Sequence, residues 1–272
     1  LIYFAPSASA GSTLKIIGGE FKISRDKEIY SGNGNFTCVE ADGQYNSLVI
    51  TGGTFENATP AEYVYTGNEG FFNALMVYNN FKSVTIKNAA FKSYGKAAWI
   101  YAKNAGLEQC DIQDATFISQ VDKALEIGLH KAGQKVNIAG GIYQGVNGIV
   151  IGGNPDMASI IEISNCNVDA SNYGVQIAQT NSTAYISGGT IVGEEGVHMN
   201  AAGSLKISGN ATITGVNYGV YNNNANSSVE VSGGHIKATA DNGKVTYNAA
   251  GSFVLTGGVY NIKPIIDGTT TG

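Results

Sequence analysis

The sequence predicts an all-β chain, a single-stranded right-handed parallel β-helix (β-solenoid) of about ten rungs. Three observations carry this. A Gly-Gly phrase returns along the whole chain. Short runs on both sides of it alternate apolar and polar with period two. The phrase recurs at intervals of roughly 24 residues, the length of one coil of a solenoid.

The phrase reads Ile16-Ile-Gly-Gly-Glu-Phe21 and Ile50-Thr-Gly-Gly-Thr-Phe55. It returns as Ile138-Ala-Gly-Gly-Ile-Tyr143, Ile186-Ser-Gly-Gly-Thr-Ile191, Val231-Ser-Gly-Gly-His-Ile236 and Leu255-Thr-Gly-Gly-Val-Tyr260. Asn88-Ala89, Asp114-Ala115, Asn165-Cys166 and Gly209-Asn210 occupy the same slot elsewhere. Glycine suits a bend that needs positive φ, and Asn and Asp are the next best residues there.

Each rung is expected to hold three strands. The first ends just before the slot, as in Ser204-Leu-Lys-Ile207. The second follows it, as in Thr190-Ile-Val192. The third follows a Gly turn, as in Gly148-Ile-Val-Ile151 and Gly196-Val-His-Met199. Period two marks strands with one buried face. Stacked in register, Ile16, Ile50, Ile86, Ile112, Ile138, Ile163, Ile186 and Ile207 form one interior column. Phe21, Phe55, Phe91, Phe117 and Tyr143 begin another, with Val168 and Ile191 after them. An asparagine column of Asn79, Asn200, Asn223 and Asn248 is expected at the turn after the third strand, where stacked amides bond along the rod.

Composition narrows the classes. Of 272 residues 37 are Gly and only 4 Pro, and 43% are hydrophobic, which is too apolar for disorder and lacks a collagen period. Charged residues are 14% and the net charge is −5, with Arg25 the lone arginine. Nucleic acid is therefore not an expected partner, because phosphate neutralisation needs clustered Lys and Arg. No apolar run reaches the ~18 residues of a membrane span. Cys38, Cys110 and Cys166 cannot all pair and match no zinc spacing. The chain reads as one continuous solenoid, 1–272, with longer aromatic-rich rungs over 1–106 and short regular rungs over 107–272. Tyr3–Ile16 aligns with His198–Ile207, so the chain is expected to open mid-repeat and belong to a longer solenoid.

The pattern resembles the right-handed parallel β-helix (pectin-lyase-like) superfamily. It is closer still to the Gly-Gly-x-aromatic repeats of bacterial surface proteins and adhesins. The resemblance implies an extracellular or cell-surface location and a structural or adhesive role. Enzymes of that superfamily place Asp clusters and an Arg or Lys on outward strand positions. Three columns of side chains are expected to point outward here. The first runs Lys15, Val49, Thr85, Asp111, Asn137, Glu162, Tyr185, Lys206, Glu230; the second Lys22, Glu56, Lys92, Ile118, Gln144, Asp169. The third runs Met76, Trp99, Glu126, Val150, Gln176, His198, Tyr221, Thr246. None gathers adjacent carboxylates, so no catalytic residue, cofactor or metal is expected. Asp111 with Asp114, and Glu194 with Glu195, read as solvated acids in preference to a calcium site.

Most of the aromatic residues lie in the first 106 positions. Met76, Tyr78, Trp99 and Tyr101 alternate outward on neighbouring rungs, with Tyr63, Tyr65, Phe71 and Phe72 in the loop before them. These eight are the candidate binding residues, for a glycan or a host or partner protein surface. The competing expectation is that loops 23–45 and 56–74 cover the patch. Head-to-tail self-association or further repeats are expected at the open rung ends. Two other readings stay open: a polysaccharide-active enzyme or carbohydrate-binding module, and a phage tail-spike-like fibre.

Overall fold

The computed structural model describes residues 2–4, 11–24, 36–58, 72–101, 107–153 and 158–265. Every regular element among them is a β-strand, and these strands pair in parallel, each bonding to its counterpart one coil away. The chain is a parallel β-solenoid, as the repeat predicts.

The slot sets the register. Gly52, Asn88, Asp114 and Asn165 take left-handed backbone, with φ of 78°, 52°, 49° and 54°. The amide of each still bonds to the next rung: Gly52 N to Lys87 O at 2.8 Å, Asn88 N to Gln113 O at 3.0 Å, Asp114 N to Ala139 O at 2.9 Å. The bend therefore interrupts the strand direction and not the ladder. Ile16, Ile50, Ile86, Ile112, Ile138, Ile163, Ile186 and Ile207 stack as register partners and continue into Val231 and Leu255. After the slot, Phe21, Phe55, Phe91, Phe117 and Tyr143 form one continuous ring stack. Successive centroids lie 5.0, 4.9, 5.1 and 5.4 Å apart, with interplanar angles no larger than 18°.

Two expected columns are corrected. At the third turn the buried amide ladder is Asn222 and Asn248: Asn222 Nδ2 donates to Asn248 Oδ1 and to Ala250 O, both at 2.8 Å. Asn200 and Asn223 are exposed, and the partner of Asn222 on the preceding rung is Met199. On the last third strand Tyr247, not Thr246, stands in register with Tyr221, and Thr246 is fully buried opposite Val220. Both errors are one-residue slips, which exchange inward for outward. In the outward column of the second strands, Lys22 Nζ pairs with Glu56 Oε2 at 3.2 Å.

All three cysteines are free and buried. Burial pushes Cys38 from 9.0 to about 11 and Cys166, beside the Tyr143 hydroxyl, to about 12. Cys110 is pushed up further by complete burial. A thiol reagent at about pH 8 should thus label none of them in the folded protein and all of them in denaturant. Rapid native labelling of Cys110 or Cys166 would contradict this packing. Because the folded values lie above the unfolded one, this contribution to stability is complete below the unfolded value. It is lost as pH climbs towards 11–12, so alkali should destabilise the rod.

Candidate binding face on the third-strand sheet

The third strands begin with a departure from simple alternation. Two successive residues point inward, a small one and then an apolar one: Gly174 with Val175, Gly196 with Val197, Gly219 with Val220. A Cβ on Gly196 would meet the Gly219 carbonyl oxygen at 2.6 Å and a methyl of Ile213, so only the smallest residue fits inside this corner. The residues on either side, three apart, consequently share the outer face. This adds an outward column that strict alternation hides. It runs Lys123 and Asn147, and later Tyr173, Glu195, Tyr218 and Lys244.

Near the N-terminal end, Met76 registers with Trp99 and Tyr78 with Tyr101. Tyr78, Trp99 and Tyr101 are half-buried and touch one another. Tyr78 stacks on Tyr101 at 5.6 Å, Trp99 tilts against Tyr101 at 5.1 Å, and the edge of His130 meets Tyr101 at 4.6 Å. Tyr101 lies down over the next rung because Gly128 is there; a Cβ on Gly128 would stand 2.7 Å from its ring. Met76 occupies an outward register position yet is only 2% exposed, and Phe72 is buried as well. Both are thereby removed from the exposed patch. Tyr63, Tyr65, Phe71 and Arg25 lie outside the described residues.

Charge converges on Trp99. Glu126 is the register partner of Trp99 on the following rung. Lys96 Nζ stands 2.7 Å from Glu126 Oε2 and 4.6 Å from the Trp99 ring centroid. Lys123 Nζ reaches the same carboxylate oxygen at 3.7 Å and Asp122 at 3.2 Å. Two ammonium groups are thus matched by two carboxylates beside an indole. The sequence carried a signal for this cluster, since Lys96-Ala-Ala-Trp99 and Lys123-Ala-Leu-Glu126 repeat the three-residue spacing of the shared face.

No protein family, curated protein or solved structure matches the chain. Its chemistry is read from its own geometry.

A second aromatic cluster occupies the later rungs of the same sheet, within the short regular rungs of 107–272. His198 stacks on Tyr221 at 4.9 Å and meets the edge of Tyr173 at 5.1 Å. Tyr218, Tyr221 and Tyr247 stack on one another at 4.9–5.4 Å. Lys244 Nζ sits 3.8 Å over Tyr247, and His198 Nδ1 lies 2.9 Å from Glu195. Burial and then the Glu195 carboxylate push the pKa of the Tyr221 phenol above its ordinary value. The three tyrosine rings cover one another's faces and are half-buried. Trp99, tilted against its neighbours, belongs to a less regular group.

Two of the remaining candidate acids, Asp111 and Glu194, have protein partners. Asp111 accepts from Gln109 Nε2 at 2.6 Å, and Glu194 from Asn217 Nδ2 at 2.7 Å. Among the described residues no three His, Cys, Asp or Glu side chains gather as metal ligands.

Proposed function

We propose that the chain is a stiff structural segment of an extracellular surface protein or filament, and that its face around Trp99 binds carbohydrate. The observation that carries this is the contact group Tyr78, Trp99 and Tyr101, half-buried beside the Lys96–Glu126–Lys123 ion network. Flat rings supply apolar contact to the C–H faces of a sugar, and polar groups at their margin hydrogen-bond its hydroxyls. The aromatic core of such a face carries most of the affinity. The low charge and the stacked coils suit a spacer that holds this face away from its point of attachment. A partner-protein surface would use the same rings.

Binding to a glycan array tests the reading. Trp99→Ala should weaken the strongest signals by roughly 30-fold, the ~2 kcal/mol of a truncated aromatic anchor. Undiminished binding by that variant would remove the patch as the site.

One observation favours a second reading, a polysaccharide-active enzyme. Three charged side chains, Lys96, Lys123 and Glu126, meet beside the indole. An acid–base role would require Glu126 or Lys96 to exchange a proton with substrate. New sugar ends released from a polysaccharide, and lost with Glu126→Gln, would establish it.

A further inference from the structure

We propose that Tyr218, Tyr221 and Tyr247 form an oxidative cross-linking site, at which a peroxide-driven one-electron oxidant joins neighbouring rungs through a carbon–carbon bond between two phenols. Tyr221 and Tyr247 are direct register partners on adjacent strands. Their rings lie 5.4 Å apart at an interplanar angle of 16°. Tyr218 lies 5.1 Å from Tyr247, also at 16°, and 4.9 Å from Tyr221. The backbone ladder holds the three rings together, so two phenoxyl radicals formed here would meet without diffusion. This is the advantage of a fixed near-attack arrangement.

Stacking also decides which atoms are offered. The ring faces are covered by each other, and the edges remain at a half-exposed surface. Those edges carry the hydroxyl and the carbons beside it, where phenoxyl spin density is high and coupling occurs. The His198 ring packs on Tyr221 and so extends the stack, with Glu195 behind it. Tyr143, by contrast, is fully buried in the core and out of reach of an oxidant.

The step balances. Each phenol gives up one electron and one proton. The two radicals form one carbon–carbon bond, and the ring hydrogens at the bonded carbons move to the oxygens, restoring both phenols. Hydrogen peroxide takes up the two electrons and two protons and becomes two waters. The product ties one coil to the next. The described cysteines are all free, so no disulfide among them does this. The link would constrain the unfolded chain as any cross-link does.

The test treats the full chain, dilute, with a peroxidase and hydrogen peroxide. Dityrosine fluorescence should rise in material that remains monomeric. Tryptic mapping should find the peptide carrying Tyr218 and Tyr221 joined to the one carrying Tyr247, with the loss of two hydrogens. Tyr247→Phe keeps the ring and the stack but removes the phenol, and should abolish that linked pair. Circular dichroism of the variant checks that the rod is intact. Linkage solely between molecules, linkage confined to Tyr78 and Tyr101, or an undiminished yield in Tyr247→Phe would each overturn the proposal. The outcome is independent of sugar binding, which is assigned to the other end of the face.

Discussion

Phe91→Ala is expected to lower the unfolding free energy by about 3–5 kcal/mol, the range for truncating a buried phenyl ring. Phe91 is 1% exposed and is held between two rings, 4.9 Å from Phe55 and 5.1 Å from Phe117. The void cannot close by bringing the neighbours together. Their separation is set by rung-to-rung hydrogen bonds, such as Ala90 N to Gly53 O at 2.9 Å and Thr116 N to Ala89 O at 2.8 Å. The cavity term should therefore lie at the high end of its range. Stability in a stacked array is close to a sum over neighbouring rungs. The loss should then weaken the coupling between the two sides of rung 91 and broaden or split the urea transition. Phe21→Ala is the control, since among the described residues only Phe55 stacks on Phe21, which is half-buried. It should cost less than half as much. A Phe91→Ala protein that unfolds at the wild-type urea concentration would refute the stack as a source of stability.

Gly141→Ala is the second large effect. Gly141 has φ of 84°, where an L side chain costs on the order of 1–2 kcal/mol before any contact is counted. The added Cβ would also fall on the backbone of Ala115, against both its carbonyl oxygen and its nitrogen at 2.9 Å. Backbone cannot swing aside as a side chain can. The two coils would have to separate and stretch the bond from Ile142 N to Ala115 O, now 3.0 Å. Strain and clash together should exceed ~3 kcal/mol, in the exceptional class for a single substitution. Gly18→Asn tests the opposite case. Its φ is 71°, nothing stands within 4 Å of a Cβ there, and asparagine already fills the equivalent slot at Asn88. That variant should melt within a few degrees of wild type. Equal stability of the two variants would mean that slot packing is not what limits the sequence.

The interior was legible because its signal is repeated. Ile16 through Ile207 and Phe21 through Tyr143 recur at one position relative to the slot, and each recurrence confirms the last. Asn223, expected where Asn222 stands, and Thr246 were misplaced where the signal weakens. There the third strand runs around a corner, and the register shifts between Asn222 and Ser228 against the rung that follows. The charged half of the candidate site was missed for a related reason. Strict alternation puts residues three apart on opposite faces. The small inward residue of the third strand returns them to one face, which brings Lys96 to Trp99 and Lys123 to Glu126. Met76 shows the converse, for its column marks it as outward and its burial is a fact of the surrounding fold.

The sequence by itself determined the solenoid, its slot and the two interior columns. Those depend on local backbone preference and on a period, and both are properties of neighbouring residues along the chain. Only the tertiary structure decided which rings share a face, which charges meet, and that the later rungs carry a tyrosine–histidine ladder. These contacts join residues a whole coil apart, and a shift of one residue in register or one extra inward residue at a corner reassigns them. The Gly-Gly phrase records how the chain bends, and the stacking of one coil on the next decides what the bend brings together.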